Sequence, residues 1–344
     1  MGLSKEQIEK IREELSSCTR PLIFFDDDPD GLASFLLFYR YVGDGRGVVV
    51  KAKPELNDMF VRKVDEYAPD KVFVLDKPQV SEDFIQAVQQ KIVWIDHHEP
   101  VQLHGVTYFN PMLGKTKDNR PVSYWCYRVV TQDLWIAMVG IVGDWFLPKL
   151  SKRFSKQYPE LLPASVKSPE QALFSTKLGE LTRIFSFVLK GKTSTVNSCV
   201  KVLTRIESPY EILEQSTPKG KFIYKKFLKV NSEYQFLLSQ ALQVGKSKDN
   251  LLVYIYNDDK MSFTGDLSNE LLYRFPNKVI IVGRERNGEV KSSLRSAKRK
   301  ILPSLKKALV GVEGYGGGHM QACGACVKSG DWEVFLNNLR QNLN

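Results

Sequence analysis

The chain has 344 residues, of which 43% are hydrophobic and 26% charged, and its 49 Lys and Arg exceed its 39 Asp and Glu by ten. This composition is typical of globular proteins and excludes the collagen-like, mucin-like and disordered classes. At roughly 150 residues per domain, the length predicts two domains. Five scattered cysteines argue against a disulfide framework. No apolar run approaches the roughly 18 residues of a membrane span, and the charged N-terminus lacks the apolar core of a signal peptide. We therefore expect a cytoplasmic protein without a membrane partner.

The first 145 residues alternate short apolar runs with amphipathic stretches. Strands are predicted at 21–25, 47–51, 71–75 and 91–95, and helices at 32–41, 58–67 and 82–90. Strands that are apolar at consecutive positions and separated by helices indicate a parallel sheet covered on both faces. The connections of such a sheet are right-handed crossovers. The predicted fold class is therefore α/β, with a doubly wound parallel sheet.

The pattern of apolar and polar residues changes after about residue 150. A Pro-containing loop precedes helical patterns at 178–189 and 222–243, which indicate a helical connector. Strand-like runs return at 251–256, 279–283 and 289–293, with a helix at 267–275, and predict a second, smaller α/β domain. We therefore divide the chain into a first domain over 1–150, a connector over 151–247 and a second domain over 248–344.

The net charge of +10 favours polyanionic partners, although an ordinary basic surface is the alternative. Basic residues are concentrated at 284–307, with nine bases and two acids, and at 217–229, with five Lys and no acid. Phe222, Tyr224 and Phe227 are interleaved with the second run. That arrangement suits a stacking groove for single strands, but the same spacing is typical of the buried face of a helix.

Acidic residues directly follow three of the predicted strands, at Asp26, Asp76 and Asp96. Ligands of an open parallel sheet bind outside the carboxyl ends of its strands, so we expect these side chains to converge. The run at 26–31 adds further acids, including Asp28 and Asp30. Crowded carboxylates raise one another's pKa, and one or two divalent cations are the simplest neutraliser. An acidic turn that caps the following helix explains one such Asp but not four.

Two of the four histidines follow Asp96 directly, as His97 and His98. Neutral imidazole ligates Mn²⁺-like and Zn²⁺-like ions. Because adjacent residues leaving a strand point in different directions, one His can bind a metal while the other reaches a substrate oxygen. Solvated loop histidines are the alternative, which the neighbouring acids disfavour. Asp144 ends the apolar segment at 140–144, a position that is also typical of a buried helix end.

The second domain carries three consecutive glycines, Gly316, Gly317 and Gly318, followed by His319. Glycines let backbone amides approach an anion closely, but such a run is also typical of a flexible turn. Upstream, the segment 292–295 ends a strand with hydroxyls and a guanidinium, which suit phosphate contacts. The cysteines at 323 and 326 have CxxC spacing without a second pair, so packing is favoured over a metal site.

Together these segments resemble the DHH family of phosphoesterases. The matches occur in family order: the acidic loop at 28–31, the isolated Asp76, the triplet at 96–98 and the segment that ends at Asp144. The run at 316–319 resembles the GGGH signature of the C-terminal domain associated with that family. The motifs span residues 22 to 324, nearly the whole chain.

The resemblance implies two Mn²⁺ ions, or Mg²⁺, bridged by Asp76. Asp28 would bind one ion, and the other would be completed by Asp30, His97 and Asp144. His98 would contact the scissile phosphate, and Asp96 would orient the histidine pair. Many members have a His at the position of Phe24, so here the first ion would use Asp26 and water or would bind weakly. A phosphate or the terminal nucleotide would be held by Ser293, Arg295, His319 and the amides of Gly316, Gly317 and Gly318.

Two such ions acidify a bound water and stabilise the entering and leaving oxygens of an in-line displacement. A site of this kind in a cleft between two domains would act as an exonuclease. The GGGH-type domain disfavours the pyrophosphatase branch, and the net charge favours a polymer. The chain is similar to short archaeal RecJ-like nucleases, which associate with replication or repair helicases.

The predicted function is a single-strand-specific exonuclease in DNA replication or repair that releases mononucleotides. DNA is the expected substrate and RNA a further one, and the resemblance alone favours 3′→5′ polarity. One alternative is a nanoRNase or 3′-phosphoadenosine-5′-phosphate phosphatase, which acts on very short substrates. The other is a non-catalytic replication scaffold, which predicts eroded metal ligands.

Overall fold

The computed structural model describes residues 2–51, 55–114, 116–257 and 261–343. The chain forms two compact units, Met1–Phe227 and Leu228–Asn344, and the division falls inside a helix that runs from Pro218 to Gly245. The three-segment division at 150 and 247 stays a prediction. In the ranges just given, no helix combines the length and the apolar character needed to cross a bilayer.

The first unit is built on a five-stranded sheet in the order β2-β1-β3-β4-β5, with every neighbouring pair parallel. The strands are β1 (Pro21–Asp26), β2 (Arg46–Val50), β3 (Lys71–Leu75), β4 (Lys91–Ile95) and β5 (Thr107–Phe109). Side chains at 22–25 and 72–75 are fully buried because helices cover both faces. The predicted parallel sheet is confirmed. β5 was missed because three residues are too short to show a pattern.

Helices surround this sheet and continue to the end of the unit. They are α1 (Lys5–Ser16), α2 (Pro29–Val42), α3 (Val61–Tyr67), α4 (Glu82–Ala87), α5 (Val122–Val130), α6 (Leu134–Gly143), α7 (Ser151–Gln157), α8 (Pro169–Ser175), α9 (Lys177–Val188), α10 (Thr193–Leu203), α11 (Pro209–Leu213) and α12 (Pro218–Gly245). α4 ends before the predicted residue 90 because Val88 adopts an extended conformation. α6 is apolar all round and buried, and it packs against α2, α5 and α9.

The second unit holds a mixed five-stranded sheet in the order β6-β7-β8-β10-β9. Its strands are β6 (Leu251–Asn257), β7 (Val279–Arg286), β8 (Glu289–Arg295), β9 (Gly314–Gly318) and β10 (Ala322–Lys328), and its helices are α13 (Thr264–Arg274), α14 (Ile301–Ala308) and α15 (Trp332–Asn342). One face of the sheet forms a core with α14 and α15 around Leu294, Val327 and Phe335. The second α/β region predicted from the sequence is confirmed.

Two predictions about local structure are decided by this arrangement. The glycine run is not a turn but the edge strand β9, paired antiparallel with β10. Cys323 and Cys326 are buried, unpaired thiols on β10, as expected of packing cysteines. On α12, the Phe227 ring is 3% exposed and lies 6.0 Å from the Phe187 ring, so this aromatic belongs to a packed helix face rather than to a stacking groove.

Candidate metal centre

The acidic loop after β1 turns sharply into α2. Asp28 caps this helix by accepting a hydrogen bond from the Gly31 amide at 2.9 Å, and Pro29 is the first helical residue. A Cβ at Gly31 would lie 2.6 Å from the Asp26 carbonyl oxygen, so only glycine lets the loop fold back this closely. The turn places Asp28 and Asp30 at the carboxyl end of the sheet.

Asp30 is buried and anchored at the start of α5. Its two carboxylate oxygens accept hydrogen bonds from the amides of Val122 and Ser123, at 2.7 and 2.9 Å. The Ser123 hydroxyl donates a further bond to it. An anion is favourable there because free amides and the helix dipole meet at a helix N-terminus. The bonds fix the orientation of the carboxylate.

Asp76 follows β3 in the left-handed region, with φ +62°, and is 1% exposed. Its Oδ1 is buried and accepts no hydrogen bond from any residue that the structure describes. The Nε2 atom of His97 lies 3.4 Å from this oxygen and 3.6 Å from Oδ2 of Asp144. A buried carboxylate oxygen without a donor is costly, and a cation bound there would remove the penalty.

His97 is held so that one ring nitrogen remains available. Its Nδ1 lies 3.0 Å from the backbone carbonyl oxygen of Asn119, which can only accept, so Nδ1 carries the proton. In neutral imidazole the Nε2 lone pair is then free and faces Asp76 and Asp144. This is the usual arrangement of a metal-binding histidine.

The candidate ligand atoms fall into two overlapping groups, and His98 belongs to one of them by distance, although its Nδ1 is already bonded to Asp96. Within each group all atoms lie within 4.8 Å of one another: Asp76 with His97 and His98, and Asp30 with His97 and Asp144. These residues come from the ends of β3 and β4, the start of α2 and the end of α6. The side chains of Asp30, Asp76, His97 and Asp144 therefore converge, and Asp28 lies near enough to Asp76 for their carboxyl groups to interact.

The buried carboxyl groups of the cluster raise one another's pKa. Burial, followed by the charges of Asp26 and Asp30, raises the pKa of Asp28 to about 7. Burial, followed by Asp30 and Asp28, raises the pKa of Asp144 to about 9 and that of Asp76 well above its usual range. Full ionisation therefore needs a cation, and carboxylates with an imidazole suit Mn²⁺ or Mg²⁺.

Asp96 was expected to orient both histidines, but it holds only one. This fully buried carboxylate contacts Nδ1 of His98 at 2.7 Å and accepts from the His98 amide at 3.1 Å. Burial lowers the pKa of His98, but the hydrogen bond to Asp96 and the charges of Asp96, Asp26 and Asp28 together outweigh it, so the pKa is raised. His97 depends instead on the carbonyl of Asn119, which no sequence pattern marked.

The partner of Asp26 is a residue that the sequence did not predict for the site. The Lys77 ammonium donates to Oδ1 of Asp26 at 2.7 Å and lies with its side chain 4% exposed. Asp26 therefore already has a counter-charge, unlike Asp76. The signal was present, since Lys77 directly follows a strand-end aspartate. Phe24, at the position of the family histidine, is fully buried between Phe60 and Phe84.

The candidate substrate residues of the second unit lie on neighbouring strands. Ser293 on β8 is opposite Gly324 on β10, which is opposite Gly317 on β9. A Cβ at Gly317 would meet nothing within 4 Å, and one at Gly324 only the Ser292 carbonyl at 3.8 Å. This row of bare backbone, beginning at the Ser293 hydroxyl, is a strip that a flat ligand could approach closely.

The remaining candidates border this strip. The Arg295 guanidinium is fixed by Asn269 at 2.8 Å and by the carbonyls of Leu294 and Cys323. Gly316 and Gly318 pair with β10 on either side of Gly317, and exposed His319 follows directly in the turn.

Comparison with known proteins agrees with this architecture. The sequence model of the DHHA1 domain matches residues 248–344. RecJ from Thermus thermophilus in complex with Mn²⁺ superimposes with a TM-score of 0.66 at 14% identity, covering 97% of this chain and 53% of that one. A structure of exonuclease RecJ bound to manganese gives a TM-score of 0.62 at 15% identity, covering 98% and 94%. The chain has the fold of the RecJ-like DHH proteins.

This RecJ-like fold is shared more widely. A pGpG-specific phosphodiesterase from Vibrio cholerae matches with a TM-score of 0.52 at 14% identity, covering 94% of this chain and 98% of that one. No curated protein sequence matches the chain. The chain spans about half the length of the Thermus thermophilus RecJ. The resemblance to the DHH family that the motifs predicted is thereby confirmed in fold.

Proposed function

We propose that this chain is a metal-dependent phosphodiesterase that removes nucleotides from an end of single-stranded nucleic acid, with DNA as the main substrate. One observation carries the proposal. No described residue donates a hydrogen bond to the buried Oδ1 of Asp76, and this oxygen faces the free Nε2 of His97, whose other nitrogen is fixed by a carbonyl. A carboxylate and a pre-oriented imidazole in this relation suit a divalent cation.

In this proposal Asp30, His97 and Asp144 hold one ion, and Asp28 contributes to the other. Asp76 is shared between them. Mn²⁺ is our first choice and Mg²⁺ the second, because crystal structures of the Thermus RecJ are described with each. When bound, the ion pair would acidify a water and stabilise negative charge on the phosphate oxygens.

The chain itself supplies the orientation and one proton. Asp96 holds His98 through Nδ1 and raises the pKa of its imidazole, and in the protonated ring Nε2 also carries a proton that can be donated toward a phosphate or leaving oxygen. The net reaction adds water across one phosphodiester: a phosphorus–oxygen bond to water forms, the bond to the leaving sugar oxygen breaks, and that oxygen takes a proton. Of the two histidines, His98 is the one sufficiently exposed for this contact, at 42% against 11% for His97.

A polymeric substrate is favoured by the net charge of +10 and by the bare strip of the second unit. We propose that Ser293, Arg295, His319 and the amides of the glycine strand bind a phosphate or terminal nucleotide. Mononucleotide release, 3′→5′ polarity and association with a replication or repair helicase complete the proposal.

The second candidate is an enzyme for very short substrates, such as a nanoRNase or a 3′-phosphoadenosine-5′-phosphate phosphatase. It is favoured by the likeness to a pGpG-specific phosphodiesterase, whose substrate by name is a dinucleotide. A non-catalytic scaffold predicts loss of ligands, whereas Asp28, Asp30, Asp76, His97 and Asp144 are all present.

Digestion of labelled strands tests these alternatives. DNA and RNA single strands of 2 to 20 nucleotides, labelled at the 5′ or the 3′ end, are incubated with Mn²⁺, with Asp76→Asn as the inactive control. We expect a ladder of one-nucleotide steps and faster turnover on longer strands. Preference for dinucleotides would favour the second candidate, and absence of hydrolysis at every length would reject both.

A further inference from the structure

A cavity of about 710 Å³ lies in the first unit between the edge strand β2 and helix α10. β2 has only β1 as a neighbour among the described strands, so its other edge faces this cavity. The metal-centre ligands are absent from its lining. Its volume is in the range of a genuine ligand site rather than of a packing defect.

The charged residues that line the cavity are all positive. Its described residues include five basic ones and no acidic one: Arg46, Lys51, Lys63, Lys201 and Arg205. Lys63 pairs with Glu66 at 3.0 Å, whereas the other four make no ion pair within the described ranges. Arg46 and Lys51 on the β2 side and Lys201 and Arg205 on the α10 side lack ion-pair partners among the described residues, which favours an anionic ligand with several charges.

Helix α10 adds a second source of positive potential. The helix begins at Thr193, which lines the cavity, and its N-cap residue Lys192 makes no side-chain capping bond. Uncapped amides at a helix N-terminus bind phosphate groups readily. Along the same helix, Thr193, Asn197 and Lys201 recur every four residues on the cavity face, over about 12 Å. That length accommodates more than one phosphate.

The cavity begins beside the acidic loop of the metal centre. Val50, the last residue of β2, pairs with Asp26 at the end of β1, and its carbonyl accepts from the Lys77 ammonium at 3.3 Å. The next residue, Lys51, lines the cavity, and both Lys51 and Lys190 interact electrostatically with Asp27. A chain that leaves the metal centre on this side therefore enters a basic groove.

The groove also offers surfaces for bases. Half-buried Tyr39 and Phe60 and the part-exposed side chains of Val48 and Val49 line it together with the cations. Aromatic and apolar surfaces alternating with basic groups are the combination that binds single strands without base preference. A free phosphate would use the charges alone, and an acidic peptide would use no stacking surface.

We propose that the groove between β2 and α10 binds the phosphates and bases of single-stranded nucleic acid beyond the scissile linkage, as an extension of the metal centre. This inference rests on the proposed nuclease function. It assigns Lys201, Arg205 and Arg46 as phosphate contacts and the N-terminus of α10 as a further one. The groove would then explain a preference for strands over dinucleotides.

The test compares two charge-reversal pairs. Lys201→Glu with Arg205→Glu alters the groove, and Lys152→Glu with Lys156→Glu makes the same charge change on exposed positions of α7. Binding of 5′-labelled dT₁₆ and dT₂ is measured by fluorescence anisotropy in EDTA over a salt series. We expect the groove pair of substitutions to lower the affinity for dT₁₆ at least tenfold more than the control pair does. The slope of log affinity against log salt should decrease by about 0.7 for each phosphate that is no longer neutralised.

Turnover of a dinucleotide in Mn²⁺ should remain within twofold of wild type in both pairs, because neither alters the metal centre. Equal loss of dT₁₆ affinity in the two pairs would overturn the groove assignment. Displacement of dT₁₆ by inorganic phosphate or by a glutamate 16-mer, as effectively as by unlabelled dT₁₆, would also overturn it.

The test also covers a loss of folding in the variants and a failure of the proposed function. If the reversed charges lower the thermal midpoint, Lys201→Gln with Arg205→Gln replaces them, since both side chains are exposed and pack little. If wild-type protein hydrolyses no substrate, the proposed function fails, while the anisotropy data still show whether the groove binds strands.

Discussion

The Nδ1 atom of His97 donates a hydrogen bond to the backbone carbonyl of Asn119, 22 residues further along the chain. This bond places the free Nε2 between Asp76 and Asp144. His98, its neighbour in sequence, is bound through the same ring nitrogen to Asp96 instead. Two adjacent imidazoles are thus fixed by different acceptors, a backbone carbonyl and a buried carboxylate. We therefore expect replacement of His97 to lower metal affinity and replacement of His98 to lower the rate of hydrolysis.

His97→Gln should weaken Mn²⁺ binding by about 10- to 100-fold, because it removes the ring nitrogen that lies between the carboxylates of Asp76 and Asp144 and is free to bind the ion. His98→Gln should leave Mn²⁺ affinity within a few-fold and lower kcat by about 10²-fold or more, as loss of a positioned proton donor does. Mn²⁺ titration by calorimetry and steady-state kinetics on one oligonucleotide separate the two effects. Equal losses of metal affinity in both variants would contradict the assignment.

Asp76→Asn should abolish hydrolysis and also the stabilisation by Mn²⁺. Asparagine tolerates the positive φ at this position, so the fold should persist. For wild type, a metal concentration of 100 times Kd should add about 2.7 kcal/mol to the free energy of unfolding. Thermal midpoints with Mn²⁺ and with EDTA measure this gain. Asp58→Asn, at an exposed position, is the matched control and should keep the full shift.

Without metal, the protein should lose stability as the pH rises. Asp28, with a pKa near 7, and Asp144, with a pKa near 9, retain protons in the folded state that the unfolded chain releases near pH 4. The folded state then binds more protons, so the contribution of these groups falls as pH rises through these values.

Mn²⁺ should reverse this trend, because it displaces the same protons. Thermal midpoints from pH 6 to 9 in EDTA and in Mn²⁺ check both slopes. The double variant Asp28→Asn with Asp144→Asn should flatten the EDTA series. A midpoint in EDTA that rises over this range in wild type would contradict the electrostatic account.

Asp26 should behave as half of an ion pair rather than as a metal ligand. Lys77→Met leaves the Asp26 carboxylate without its counter-charge and should cost about 2–4 kcal/mol in the free energy of unfolding. Adding Asp26→Asn should recover much of this loss, a coupling that urea denaturation of the four proteins measures. Mn²⁺ affinity of Asp26→Asn should remain within a few-fold of wild type. A large loss would show that Asp26 ligates the ion.

Two neighbouring glycines of β9 should respond differently to alanine. Gly317→Ala places a methyl in open space and should change stability little, while raising KM for strands if the bare strip binds substrate. Gly318→Ala meets the Ala322 carbonyl at 2.5 Å with φ +133° and should cost about 1–3 kcal/mol. Urea denaturation and kinetics on a 16-nucleotide strand test the pair. An unchanged KM in Gly317→Ala would argue against substrate at this strip.

Local patterns in the sequence were sufficient to predict the parallel sheet and the acids and histidines that follow its strands. The apolar runs at 22–25 and 72–75 form buried parallel strands because only a sheet covered on both faces accepts them. Strand-end position then directs Asp76 and His97 to the same edge. The glycine run was not predicted as a strand, since three residues without side chains carry no periodicity and only their pairing with β10 makes them one.

The amino-acid sequence alone determined the parallel sheet and the acids and imidazoles at its carboxyl end, because hydrophobic periodicity and strand-end position are properties of consecutive residues. Only the tertiary structure decided how each of those groups is held. The carbonyl of Asn119 behind His97, the ammonium of Lys77 on Asp26 and the missing donor at Asp76 Oδ1 are relations between distant segments. Hydrogen bonds and charges act over a few ångströms, and only folding brings such segments within that range.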